Sequence, residues 1–278
     1  MPATIIKIED LCKSFNGNLV LSNINLEIRK GEKLCIVGGS GCGKTVLAKH
    51  FIRLLSPDSG RVLVYGKDVS EMSDEELEEI RKKVGYVYQF NALFSSMDVY
   101  ENISLPLRRN PNSGPAKNEP DIEARVREAL KSVGLEEEHL RSMPYELSGG
   151  QKKRVAVARA IIANPPIMIY DEPTPGLDRE NKENIISLIL NLYEKNKNTT
   201  IVITHDEDLT ERVNDRIVLL RKKKVYFDDP YYKLITSQDP EILQFLSEDE
   251  IERRYRTERE LRYRNHSTQD SLPVPAQP

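Results

Sequence analysis

Residues 34–45 limit the possible fold more than any other stretch of the chain. Leu34-Cys35-Ile36-Val37 is a continuous apolar run, the pattern of a strand buried on both faces. It leads directly into Gly38-Gly39-Ser40-Gly41-Cys42-Gly43-Lys44-Thr45, which matches GxxxxGK[ST]. A helix is expected from about Lys44 to Leu55. Strand, glycine-rich loop and helix in this order point to an α/β fold whose loop cradles a phosphate. The glycines let backbone N–H groups turn inward, and the helix N-terminus adds partial positive charge. Lys44 is placed to reach β- and γ-phosphates, and the Thr45 hydroxyl to ligate Mg2+. Residues Gly38, Gly39, Ser40, Gly41, Cys42, Gly43, Lys44, Thr45 and Val46 are therefore the predicted nucleotide-binding loop.

The bulk properties exclude several functions. The net charge is −3 with 31% charged residues, so there is no global attraction to nucleic acid or anionic membrane. No apolar run approaches the ~20 residues of a spanning helix. Residues 1–4 carry neither a basic region nor a cleavage site, so no signal peptide is expected. Cys12, Cys35 and Cys42 form no CxxC, which suits reduced thiols in a cytosolic compartment. Arg221-Lys222-Lys223-Lys224 reads as a solvated hairpin turn, since no aromatics interleave the charges.

Local patterns continue the alternation of strand and helix. Residues 5–8, 19–28, 61–65, 84–88, 167–170, 200–203 and 216–220 read as strands. Ser73-Asp74-Glu75-Glu76 fits a capping box, with Leu77, Ile80 and Val84 on one helical face. Residues 110–120 are expected to form a loop. Ile122, Val126, Ala129, Leu130 and Val133 repeat at helical spacing before Gly134. A further helix is expected near 180–194. Asp239-Pro240 supplies an N-cap and a first-turn proline, and the Pro-rich residues 271–278 are expected to be disordered.

Two further motifs narrow the chemistry. Leu147-Ser148-Gly149-Gly150-Gln151 opens a helix that runs to Ile162, with Ser148 as the N-cap. The strand at 167–170 delivers Asp171-Glu172, a pair suited to holding Mg2+ (Asp171) and activating water (Glu172). The order of phosphate loop, LSGGQ and Asp-Glu pair resembles the ATP-binding cassette (ABC) ATPases over nearly all of residues 5–228. That resemblance implies a P-loop, RecA-like α/β core with a mixed sheet, an N-terminal antiparallel β subdomain and an inserted α-helical subdomain. It implies an ATPase domain at 1–238, with the helical part at about 90–163, and a C-terminal extension at 239–278. It also assigns residues. Gln89 matches the Q-loop glutamine, which touches Mg2+ and water. Asp178, in Gly176-Leu177-Asp178, matches the D-loop. His205 matches the switch histidine at the γ-phosphate, and Phe15 the aromatic stacked on adenine. Ser148, Gly149, Gly150 and Gln151 match the signature that binds ATP held by a second copy in a head-to-tail homodimer. The chain departs from the common pattern at Pro175 and Val46, where a hydroxyl residue is usual.

Cargo must be read elsewhere. Residues 89–107 (QFNALFSSMDVYENISLPL) and 239–246 (DPEILQFL) are similar to the ATPases of Mla-type, MCE-associated phospholipid transporters. That likeness implies integral-membrane permease subunits and an MCE-domain lipid-binding protein as partners, with the chain peripheral on the cytoplasmic face of the inner membrane. Leu93, Phe94 and Met97 would form part of an apolar groove for a short permease helix. Gln151 and Asn91 depart from that group, which more often has Met and Gly there. Amino-acid importer and lipoprotein-release ATPases carry related sequences at 92–107. A scaffold ATPase that joins no transporter is a further alternative. Repair-type members are disfavoured because no long coiled coil separates the phosphate loop from the signature.

Overall fold

The computed structural model describes residues 2–108, 118–213 and 215–246. The described chain divides between residues 228 and 229 into two compact units. In the first, β1 (Thr4–Phe15) and β2 (Asn18–Arg29) form a hairpin. Its turn residues, Asn16 and Gly17, both have positive φ (49° and 78°), which matches the right-handed twist of the flanking strands. This Asn-Gly pair was the available signal that β1 extends as far as Phe15, well beyond the 5–8 expected. Next come β3 (Lys33–Val37), α1 (Lys44–Phe51), β4 (Ser59–Val64), β5 (Lys67–Asp68), α2 (Asp74–Lys82) and β6 (Val84–Val87). The capping box on α2 is present: the Glu76 N–H donates to Ser73 Oγ, and the Ser73 N–H to Glu76 Oε2. Leu77 and Ile80 are buried as expected. Val84 belongs to β6 and not to the helix face, because Lys83 already caps the helix.

The helical region contains α3 (Val99–Arg108), α4 (Glu119–Ser132), two 3-10 turns (Glu137–Arg141 and Pro144–Glu146) and α5 (Gly149–Ile161). Helix α3 has no counterpart among the expected elements; Pro106 near its end obscures the helical pattern. The loop expected at 110–120 lies largely outside the described residues. Its last part departs from expectation, since Asn118 caps α4 and Glu119-Pro120 form its first turn. The remaining elements are β7 (Ile167–Asp171), α6 (Arg179–Asn196), β8 (Thr199–Thr204), α7 (Glu207–Arg212), β9 (Arg216–Arg221) and β10 (Lys224–Asp229). Lys222 and Lys223, both with positive φ, make the expected turn between the last two strands.

Two sheets result. The antiparallel sheet has the order β2-β1-β4-β5, and the larger sheet the order β10-β9-β3-β8-β7-β6, parallel from β9 to β6. Strands β7 and β8 are buried along their whole length, which accounts for the apolar runs at residues 167–170 and 201–203. The central strand β3 pairs with β8 and β9, so the loop after Val37 emerges at the carboxyl edge beside Asp171 and Thr204. Ligands in open parallel sheets bind at that edge.

The second unit holds two short helices, α8 (Tyr231–Ile235) and α9 (Pro240–Phe245). Asp239 caps α9, accepting from the Glu241 and Ile242 N–H groups. The expected disorder at 271–278 concerns residues outside those described. Among the described residues no helix is long and apolar enough to cross a membrane.

Candidate active site

Two glycines of the phosphate loop are required by space as well as by conformation. Gly38 has φ 152°, and a Cβ there would lie 2.5 Å from the Leu220 carbonyl oxygen. Gly43 has φ 103°, and its Cβ would lie 2.7 Å from Leu21. Cys42 fills space against Gly38, and burial raises its thiol pKa. Lys44 is 6% exposed. Its Nζ donates to the Gly38 and Gly39 carbonyls at 2.8 and 3.3 Å and lies 3.6 Å from Glu172 Oε1.

The carboxylate pair stands opposite. Asp171 ends β7, accepting from Thr45 Oγ1 at 2.7 Å and from the Tyr86 hydroxyl at 3.0 Å. Burial raises the Asp171 pKa, and these two bonds oppose the shift. A buried carboxylate beside a hydroxyl is a fitting half-shell for a hard divalent cation, which takes oxygen ligands. Glu172 has φ 48°, a conformation rarely held without surrounding constraint. Its N–H is tied to the Ile203 carbonyl at 2.9 Å, and its side chain turns toward Lys44. His205 Nδ1 lies 3.0 Å from both Glu172 oxygens. The structure thus brings residues 40–46, Gln89, Glu172 and His205 around one cavity of about 210 Å3. An ammonium, a carboxylate and an imidazole in contact form a set able to bind a phosphate chain and take a proton from water.

The signature residues are built differently and do not line this cavity. Ser148 caps α5: its Oγ accepts from the Gln151 N–H at 3.2 Å, and its own N–H donates to Gln151 Oε1 at 2.8 Å. Such a cap contributes about 1 kcal/mol. Gly149 is exposed at the helix start. A Cβ on Gly150 would meet Asn181 Oδ1 at 2.5 Å. Asp178 caps α6, accepting from the Asn181 N–H and Nδ2, both at 2.8 Å, and these bonds lower its pKa. Phe15 also stands outside the cavity, 39% exposed, with Lys13 Nζ 5.4 Å from its ring centre.

The sequence profile of the ABC transporter family matches residues 21–175, more than half of the chain. The chain belongs to the ABC transporter family. The match includes the phosphate loop, the signature and Asp171-Glu172, and ends before Asp178 and His205. This ABC protein is 36% identical over 242 residues to the probable ribonucleotide transport ATP-binding protein mkl of Mycobacterium leprae, covering 87% of this chain and 68% of that protein. It is 35% identical over 247 residues to the methionine import ATP-binding protein MetN of Clostridium tetani, covering 89% and 76%. Among solved structures it resembles the ATP-binding cassette MJ0796, a dimer in a post-hydrolysis state bound to ADP and Pi. That match has TM-score 0.75 and 33% identity, covering 81% of this chain and 98% of the other. The chain is an ATP-binding subunit of an ABC transporter and an ATPase.

Three supporting residues of this ABC cassette escaped the sequence reading. Tyr86 joins Thr45 in holding Asp171. Lys153 is 2% exposed and donates to the carbonyls of Tyr88 (3.3 Å) and Gln89 (2.9 Å). Arg159 donates to the carbonyls of Asn91 and Ala92 at 2.9 and 2.8 Å. Two cations of the signature helix therefore grip the backbone around Gln89. The available signal was a Lys at helical spacing with Ala156, Val157 and Ala160, on an otherwise apolar face.

Proposed function

We propose that this subunit works as a head-to-tail homodimer that powers phospholipid transport with Mla-type permease and MCE-domain partners, on the cytoplasmic face of the membrane. In this reading the ATPase domain spans 1–238, with its helical subdomain at about 90–163 and an extension after it. Lys44 and the N–H groups of residues 38–46 bind the phosphates, and Phe15 stacks on adenine. Thr45, Asp171 and Gln89 hold Mg2+, which supplies charge neutralisation at the phosphates when bound. Glu172 takes the proton of the attacking water. His205 orients Glu172 and contacts the γ-phosphate. Ser148, Gly149, Gly150 and Gln151 close on the ATP of the other copy, with Asp178 at the same interface. The catalytic part rests above all on the contact of Glu172 with both Lys44 and His205.

The phospholipid assignment is supported by the form of residues 89–107. Their backbone is organised by Asn102, which is fully buried. Its Oδ1 accepts from the Phe94 N–H at 2.9 Å, and its Nδ2 donates to the carbonyls of Phe94, Met97 and Asp98. Phe94 is left 42% exposed, beside Leu105 and Pro106 on a cavity wall that also carries Arg81, Lys82 and Arg159, a mixed surface open to an amphipathic permease helix; Leu93 and Met97, expected in the same groove, do not line it. The likeness to a methionine import protein supports a second reading, an amino-acid importer. Affinity purification from native membranes separates the two. Recovery of a permease with an MCE-domain protein, and ATP turnover stimulated by phospholipid in proteoliposomes, is expected. An amino-acid permease with methionine-stimulated turnover overturns the lipid assignment.

A further inference from the structure

Both polar atoms of the Gln151 side chain are engaged within its own subunit, each with one bonding position left over. Its Oε1 is taken by the Ser148 N–H at 2.8 Å, which fixes the amide orientation. Its Nε2 therefore points at His139 Nε2, 2.9 Å away. An amide NH2 only donates, so His139 Nε2 is the acceptor and the ring proton sits on Nδ1. That Nδ1 lies 3.1 Å from the Glu136 carbonyl, which completes the same tautomer. The 3-10 turn carrying His139 is itself anchored, since the His139 carbonyl accepts from the Ser142 N–H at 3.0 Å. At the other end of this chain of bonds, Ser148 Oγ accepts from the Gln151 N–H and keeps its own proton free to donate outward.

We infer that His139 is a positioning residue of the composite site: its neutral imidazole orients Gln151, and through it the Ser148 hydroxyl that meets the other subunit's nucleotide, so acidification loosens the signature. This rests on the proposed role of the signature. Protonation would set an Nε2–H donor against an NH2 donor. Flipping the Gln151 amide would relieve that clash only by turning its NH2 toward the Ser148 N–H. Either way one bond of the cap support is lost. Three charged groups on the surrounding elements have partners other than His139. Glu137 pairs with Arg127 of α4, and Arg141 with Asp98 before α3. Arg154 of α5 donates to the Val133 and Gly134 carbonyls. Glu136 and Glu138 flank His139 in sequence.

The test compares ATP turnover of the full-length wild type with His139→Gln, His139→Leu and Ser148→Ala, from about pH 8 to about pH 5, where imidazoles change charge. His139→Gln keeps an acceptor near the Nε2 position but cannot titrate there. It is expected to match wild type at the alkaline end and exceed it increasingly on acidification. Taking the ratio of the two cancels any pH effect common to both proteins. His139→Leu is expected to run about fivefold below His139→Gln at every pH, the effect of one hydrogen bond, and to converge with wild type on acidification, while ATP binding to the monomer is unchanged. A wild-type to His139→Gln ratio that stays flat with pH overturns the inference, and it decides the matter even if His139→Leu fails to fold. Wild-type turnover in Ser148→Ala would instead overturn the signature reading, and this inference with it. Impaired Ser148→Ala with a flat ratio overturns this inference alone.

Discussion

The phosphate-loop cavity and the signature face handle charge in opposite ways. Lys44 and Glu172 on the cavity wall, and Asp171 bonded to Thr45 beside it, are all buried, and each touches another polar group of the same chain. Polar groups placed there are strongly coupled, because little water screens them. At the signature, Ser148 and Gly149 are exposed. Of their supports, Gln151 and His139 are joined by a neutral hydrogen bond, and Asn181 donates to the Asp178 carboxylate at the exposed start of its helix. The first region is assembled by one chain. The second presents a rigid capped helix end, a ready anion site, to something outside it. On the proposed roles, catalytic power and control of turnover are stored in separate places.

Glu172→Gln gives the sharpest test of that division. It removes the proposed base but leaves the signature intact, so turnover is expected to fall about 10²–10⁴-fold while ATP still binds and drives dimerisation. Rapid-quench ATPase assays with size-exclusion chromatography in ATP check this; normal turnover breaks the base assignment. Lys44→Ala is expected to lower turnover about 10²–10³-fold and to weaken nucleotide binding, measured by titration calorimetry. Lys44 is the only Lys or Arg among the described residues lining the cavity.

Gly150→Ala attacks the signature side. The new methyl collides with Asn181, and overpacking costs about 1–3 kcal/mol. The better helix propensity of Ala returns about 1 kcal/mol. Thermal unfolding is therefore expected to show a modest loss that Asn181→Ala relieves. A loss that Asn181→Ala leaves unchanged locates the strain elsewhere.

The smallest effect concerns Lys153. Burial lowers its ammonium from 10.5 to about 8. Between those values the unfolded chain binds more protons than the native one, so this group makes stability rise with pH across the window. Lys153→Met is expected to lack that component. Unfolding midpoints of both proteins at about pH 8 and about pH 10 measure the difference.

The cavity was far more legible in sequence than its supports. Lys44, Thr45, Asp171 and Glu172 follow from motifs because phosphate chemistry dictates residue type and local spacing. Tyr86, Lys153 and Arg159 act on groups far away in sequence, and no local spacing encodes such a contact. Strands β7 and β8 were readable because burial on both faces enforces apolar runs. Helix α3 was not, because Pro106 and the buried polar residues Asn102 and Ser104 interrupt its hydrophobic pattern. Asn102 is buried for the sake of a neighbouring loop, a tertiary demand that periodicity does not record.

That loop has a consequence for how such a subunit changes over generations. One buried amide fixes the backbone of residues 94–98, while Phe94, Ser95 and Ser96 face outward. Their side chains are free to drift without unmaking the platform beneath them. On the proposed docking of a permease helix at Phe94, a duplicated copy of this gene can therefore acquire a new membrane companion by exchanging a few surface residues, provided that the asparagine at 102 is inherited unchanged.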